Sequence, residues 1–133
     1  MRKITDHRLT VLDKAIELVA VDSPSAETGG ASHVYEMRIQ TQRGLEIQTV
    51  KFQNGPIGGP DSVNGTSNEA VLGIVIDRLR GFQGMLTQQT GVAAQHACRE
   101  NACALTHLEE ALLWLRKRTL DRMARGVEGT NLK

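Results

Sequence analysis

The sequence predicts an α+β fold, a small N-terminal antiparallel β-sheet followed by a C-terminal antiparallel helical hairpin. Three observations carry this. From His33 the apolar residues Tyr35, Met37 and Ile39 alternate with Glu36, Arg38 and Gln40, the period of a half-buried strand. The run NGPIGGPDSVNG, residues 54–65, holds five glycines and prolines before its closing Asn64-Gly65 and forms the clearest boundary in the chain. Beyond it lie two helical patterns, the second continuous from Cys98 to Gly129. The domains this implies are residues 1–62, the sheet, and 63–133, the hairpin.

In order, residues 4–14 are mixed and weakly patterned, compatible with a short helix or an extended arm. Ile16 to Val21 is β-favourable, and DSPSAETGGAS after it is a loop of small, turn-forming residues. The alternating strand from His33 follows. Arg43-Gly44 marks a tight turn, and Leu45, Ile47, Val50 and Phe52 form the returning arm. The apolar phase slips by one between Ile47 and Val50, which predicts a β-bulge there. Three antiparallel strands with one apolar face result.

The first helix is read to begin at a capping box, Thr66 as N-cap with Glu69 three residues on. Val71, Leu72, Val75, Ile76 and Leu79 give its apolar side, and it closes around Gly81-Phe82. Residues 83–96 form a long, partly helical connection. In the second helix Leu105, Leu108, Leu112 and Leu115 recur at the spacing that places them on one face. Glu109 and Glu110 precede Arg116, Lys117, Arg118, Arg122 and Arg125, an order that suits the helix dipole. Gly126 is the expected stop.

Composition narrows the function. A chain of 133 residues, 40% apolar and 23% charged, is one compact domain or two small units sharing a core. Aromatic residues make up only 3%, namely Tyr35, Phe52, Phe82 and Trp114, so burial relies on aliphatic side chains and homo-oligomerisation is the default expectation. A net charge of +1 argues against binding of nucleic-acid polymers but leaves room for a small anion near residues 116–125. Cys98 and Cys103 point different ways on a regular helix, so no internal disulfide is expected and a reducing compartment fits. No window approaches a membrane span and MRKITDHR lacks the apolar core of a signal peptide, which points to the cytoplasm.

Few residues carry chemistry by pattern. Arg118 and Arg122, four apart, leave the same side of the helix, as paired forks for a phosphate or as a solvated basic face. Phe82 at a glycine-flanked helix end stacks on a ring or plugs the hairpin. His96, Cys98, Cys103 and His107 invite a metal reading, since Cys103 and His107 share a face, but Cys98 points elsewhere and no second tight pair occurs. Cys103 and His107 read as packed beside Leu105 and Leu108, and no metal site or cofactor is expected. No nucleophile-elbow, HExxH or P-loop pattern occurs, and the glycine-rich run before the first helix lacks a P-loop lysine. Binding without turnover is favoured.

Four segments, GGASHVYEMRI, FQNGPIG, VNGTSNEAVLGIVIDRLRGFQ and CRENACALTHLEEALLWLRKRTLDRMARGVEGT, resemble the phage sponge proteins that counter the Thoeris defence system. Their helical hairpin is shared with sponges that counter CBASS. The resemblance covers residues 15–130 and is strongest over 63–130. It implies a phage protein that is not an enzyme, acting in the cytoplasm of the infected bacterium. Such a protein binds a cyclic ADP-ribose-type signal (glycocyclic ADP-ribose) and holds it intact. It also implies dimers or hexamers, some of which take cyclic trinucleotides at separate sites between protomers.

By the same resemblance Phe82 of the GFQ motif is a candidate for stacking on the adenine. Asn101 of the CREN motif is a candidate polar contact. Arg118 and Arg122 of RKRTLDR are candidate phosphate partners. The connection between GFQ and CREN is longer here than the family pattern, which bears most on Phe82. Asn101 and Arg118 stand seventeen residues apart on one helix, about 25 Å. If both touch one ligand, the pocket spans two protomers.

Two other classes compete. One is a hairpin that inhibits a host protein by direct binding through its leucine strip and basic end. The other is a nucleotide-processing enzyme using Glu69, Glu100, Glu109 or Glu110 as base, glutamates that capping and helix charge order already explain.

Overall fold

The computed structural model describes residues 1–126, which divide between two compact units, Met1–Thr66 and a second beginning at Ser67. Among the described residues no helix is long and apolar enough to cross a membrane.

The first unit is an antiparallel sheet of four strands, β1 (Arg2–Ile4), β2 (Ile16–Ala20), β3 (Val34–Thr41) and β4 (Gly44–Lys51), in that spatial order. Three were expected. The additional strand, β1, precedes the weakly patterned residues 4–14 except for Ile4, and that segment supplies most of a short helix α1 (Val11–Ala15). Three residues are too few for alternation to register, and five too few for a helical period. Local capping reveals α1 instead. Asp13 Oδ2 accepts from the Leu9 and Thr10 N–H groups at 2.9 and 2.7 Å, and Thr10 Oγ1 accepts from Asp13 N–H at 3.4 Å. These bonds hold the Asp13 carboxyl below its usual pKa, the Thr10 N–H contributing most.

Register sets the faces. Ile16, Leu18 and Ala20 stand opposite Ile39, Met37 and Tyr35, and Tyr35 in turn opposite Val50. Phe52 meets Tyr35 edge-on, with ring centroids 5.7 Å apart. The bulge expected in β4 is absent. Pairing with β3 runs unbroken from Val34↔Lys51 to Thr41↔Gly44. The slip in the pattern is a change of face: Leu45 and Ile47 sit on the opposite side from Val50 and are 59% and 55% exposed. That side also carries a charge ladder, with Glu17 3.6 Å from Lys3 and 3.8 Å from Arg38, and Arg38 3.4 Å from Glu36.

Asp22 closes the loop between β2 and β3. Its carboxylate accepts from His33 N–H at 2.8 Å and Val34 N–H at 2.9 Å, which lowers its pKa, the Val34 bond most. The glycine-rich run after β4 is a closed loop whose stems pair. Gln53 N–H donates to Thr66 O and Thr66 N–H to Lys51 O, both at 2.8 Å. Gln53 and Asn64 side chains stitch across it.

The second unit is the hairpin. α2 (Asn68–Phe82) and α4 (Arg99–Ala124) pack on each other, joined by residues 83–98 with a single short helix α3 (Thr87–Thr90). The cap of α2 is Ser67, whose Oγ accepts from Ala70 N–H at 3.1 Å, not Thr66. Thr66 has its backbone committed to Lys51 and Gln53, so the helix starts one residue later and Glu69 falls out of the capping-box position. Among the described residues, Ile76 and Leu105 are the buried apolar pair of the hairpin. Leu108, Leu112 and Leu115 extend the same side of α4, half-buried, as their spacing predicts. Arg80 on α2 and Glu109 on α4 form an ion pair at 3.1 Å. α4 ends at Ala124, with Gly126 in the left-handed conformation (φ 71°) just past it, the expected glycine stop. Residues 127–129 of the expected helical pattern lie outside the described residues.

Candidate functional site

The four residues singled out in the hairpin separate into two groups. Phe82 closes α2 and Asn101 opens α4, so the antiparallel packing brings them to the same end. His96 joins them. Its ring meets Phe82 edge-on at 5.7 Å, and its carbonyl accepts from Asn101 Nδ2 at 3.2 Å. Arg78, one turn earlier on α2, lays its guanidinium 5.0 Å above the Phe82 ring. A ligand ring stacking on Phe82 therefore takes its remaining surface or displaces Arg78.

Gln83 fastens this end. Its Oε1 accepts from Cys98 N–H at 3.0 Å and its Nε2 donates to Cys98 O at 3.2 Å. Cys98 Sγ in turn caps α4, accepting from Asn101 N–H at 3.4 Å. The long connection is thus folded back and tied beside Phe82. Sequence reasoning weighed His96 only as a metal-ligand candidate and gave Gln83 and Arg78 no part in the site.

Arg118 and Arg122 lie toward the other end of α4, and they differ. Arg118 is exposed, whereas Arg122 is 9% exposed, on the inward side that continues Leu112, Leu115 and Thr119. A four-residue step rotates a side chain by about 40°, enough to carry one arginine inward and leave its neighbour out. Arg118 lines an open depression with Trp114, Lys117, Asp121 and Arg125. A second one holds Glu69, Arg116, Thr119 and Leu120.

Cys103 and His107 were expected to pack beside the leucines. Both are exposed, and His107 Nδ1 instead lies 3.6 Å from Glu110. Both cysteines are free, and among the described residues no cluster of three or more His, Cys, Asp or Glu side chains is placed to hold a metal. Of the glutamates weighed as a base, Glu109 is held by Arg80.

Residues 45–120 match the family described as Acb2/Tad1, hairpin domain. The span opens in β4 and runs through the loop, α2, the connection and most of α4. The chain belongs to the Acb2/Tad1 hairpin-domain family. Phe82, Asn101 and Arg118 fall inside the match, and Arg122 lies two residues beyond it. Among curated proteins the chain is similar to "Thoeris anti-defense 1" of Bacillus phage SBSphiJ7, 47% identical over 88 residues. Those residues are 66% of this chain and 55% of the relative, so the chain spans about half the length of the protein it matches.

Proposed function

We propose that this protein sequesters a cyclic ADP-ribose-type signal of the Thoeris system, glycocyclic ADP-ribose, and releases it unchanged. It acts in the cytoplasm of the infected host, without turnover. Family membership and the printed name of the phage relative support the anti-Thoeris role. The hairpin geometry carries the ligand reading. An aromatic ring and a carboxamide gather at one end of the hairpin, while a basic cluster stands toward the other, about 25 Å along α4.

One nucleotide does not span that distance on one chain. Two chains placed head to tail bring Phe82 and Asn101 of one beside Arg118 and Arg122 of the other, and two-fold symmetry makes two such sites. Each unit has a thin core: Val19 and Ala20 in the sheet, Ile76 and Leu105 in the hairpin. Ile74, Leu113, Leu120 and Met123 are each more than half exposed and supply surface for dimers or hexamers. Cyclic trinucleotides of CBASS would occupy separate sites in the larger assembly.

The test is a mix-and-release assay. Protein is incubated with the signal and filtered, the filtrate is applied to the effector, and the protein is then heated and the released material applied. Activity that vanishes and returns on heating supports sequestration. Activity that never vanishes redirects the function to direct binding of a host protein. Permanent loss with a new product would make the protein an enzyme.

A further inference from the structure

We infer that Trp114 is a further ligand-binding residue, its indole stacking on the base of a nucleotide whose phosphate Arg118 holds. This rests on the sequestration reading above and deepens it. The starting point is an exposed ring where burial was available. Trp114 is 71% exposed at the middle of α4, although Leu112 and Leu115 beside it turn inward. An indole is the largest apolar side chain, and leaving it in water forgoes the most favourable burial of any residue.

Its neighbours are those a nucleotide requires. Trp114, Arg118, Asp121 and Arg125 follow at i, i+4, i+7 and i+11, which makes one continuous strip on α4. With Lys117 they line a single depression. A second depression, formed by Glu110, Leu113 and Lys117, also borders the indole, so the ring is open to solvent on both flanks. Lys117 Nζ donates to Asp121 at 2.7 Å, which holds that ammonium along the strip.

Arg118 stands one turn, about 6 Å along the axis, from Trp114. That is the reach from a nucleobase to its own phosphate. A flat ring on the indole, a phosphate on the Arg118 fork, and a hydroxyl or amino group toward Asp121 then fit one mononucleotide moiety. Phe82 is already faced by Arg78 and edged by His96, whereas nothing comparable covers Trp114 among the described residues. In a head-to-tail pair the indole of one chain and Phe82 of the other would meet the single adenine of one cyclic ligand from its two faces.

The chain contains a single tryptophan, so the indole reports on itself. The protein is titrated with glycocyclic ADP-ribose, following tryptophan emission, with retention measured in parallel. Saturable quenching that tracks retention is expected. Trp114→Ala should weaken retention roughly ten- to hundredfold, the usual loss for one stacked base, and Trp114→Phe should keep most of it, both at unchanged helical content and oligomeric state. Retention without any change in emission, or equal retention by the alanine variant, overturns the inference and leaves sequestration standing. Emission that is blue-shifted without ligand and follows protein concentration also overturns it, placing the indole in a seam between copies. A protein that retains no glycocyclic ADP-ribose sinks both readings together.

Discussion

The side-chain amide of Gln83 holds the backbone of Cys98 at both of its polar groups, accepting from the N–H at 3.0 Å and donating to the carbonyl at 3.2 Å. A glutamine thereby imitates a neighbouring strand and closes a connection that the sequence alone leaves open-ended. Gln83→Ala should free that end of the hairpin. The bonds are exposed, so water replaces them in part and the cost is about 1 kcal/mol. Amide exchange at Cys98 and Asn101 should accelerate well before the core of α4 responds, and uniform exchange along α4 would contradict this.

Gly65 carries a second constraint. A Cβ there would land on the Phe52 carbonyl carbon and within 2.6 Å of the Gln53 nitrogen, both backbone atoms with no freedom to yield. Gly65→Ala should therefore break the Lys51–Thr66 pairing that closes the loop. Overpacking of this kind costs about 1–3 kcal/mol. Thermal melting read by a strand-sensitive signal checks it, and an unshifted midpoint would mean the stem pairing is dispensable.

The two arginines should separate in a paired experiment. Arg118 is exposed, so Arg118→Ala should leave melting unchanged within about 0.5 kcal/mol and lose signal retention. Arg122 is buried on the inward side of α4, so Arg122→Ala should lower both melting temperature and retention. At a desolvated phosphate either loss costs on the order of 2–5 kcal/mol of binding. Equal melting curves for the two variants would remove the distinction.

Asp22 gives the sheet an acid-sensitive loop. Its carboxylate accepts from Val34 and His33, which lowers the folded pKa below the ordinary 3.8. A depressed carboxylate stabilises the fold above the unfolded value and loses that contribution as pH falls through the folded value. Asp22→Asn should speed exchange of the Val34 amide near neutral pH, and the difference from the parent protein should shrink in acid. A gap that widens on acidification would reverse the sign and exclude this carboxylate as the cause.

Much of the fold is written locally. Alternation from His33, the Arg43-Gly44 turn, the leucine spacing of α4 and the glycine at 126 each report conditions that act within a few residues. The elements that escaped were too short for periodicity, such as β1, or were decided by competition. Thr66 and Ser67 can both cap a helix by type. Pairing of the Thr66 backbone with Lys51 and Gln53 leaves the role to Ser67.

The sequence by itself determined the α+β class, the order of strands and helices, and which residue types were available for an anion, because propensity, patterning and charge act at short range. Only the tertiary structure decided what each residue faces. Phe82 meets Arg78 and His96, Asn101 ties back to the connection, and one arginine of an i, i+4 pair turns inward while the other stays in water. The rise of a helix puts the ends of α4 apart, and antiparallel packing chooses which residues of α2 meet which end. Such neighbours are fixed by packing between segments far apart in the chain, which no local pattern records.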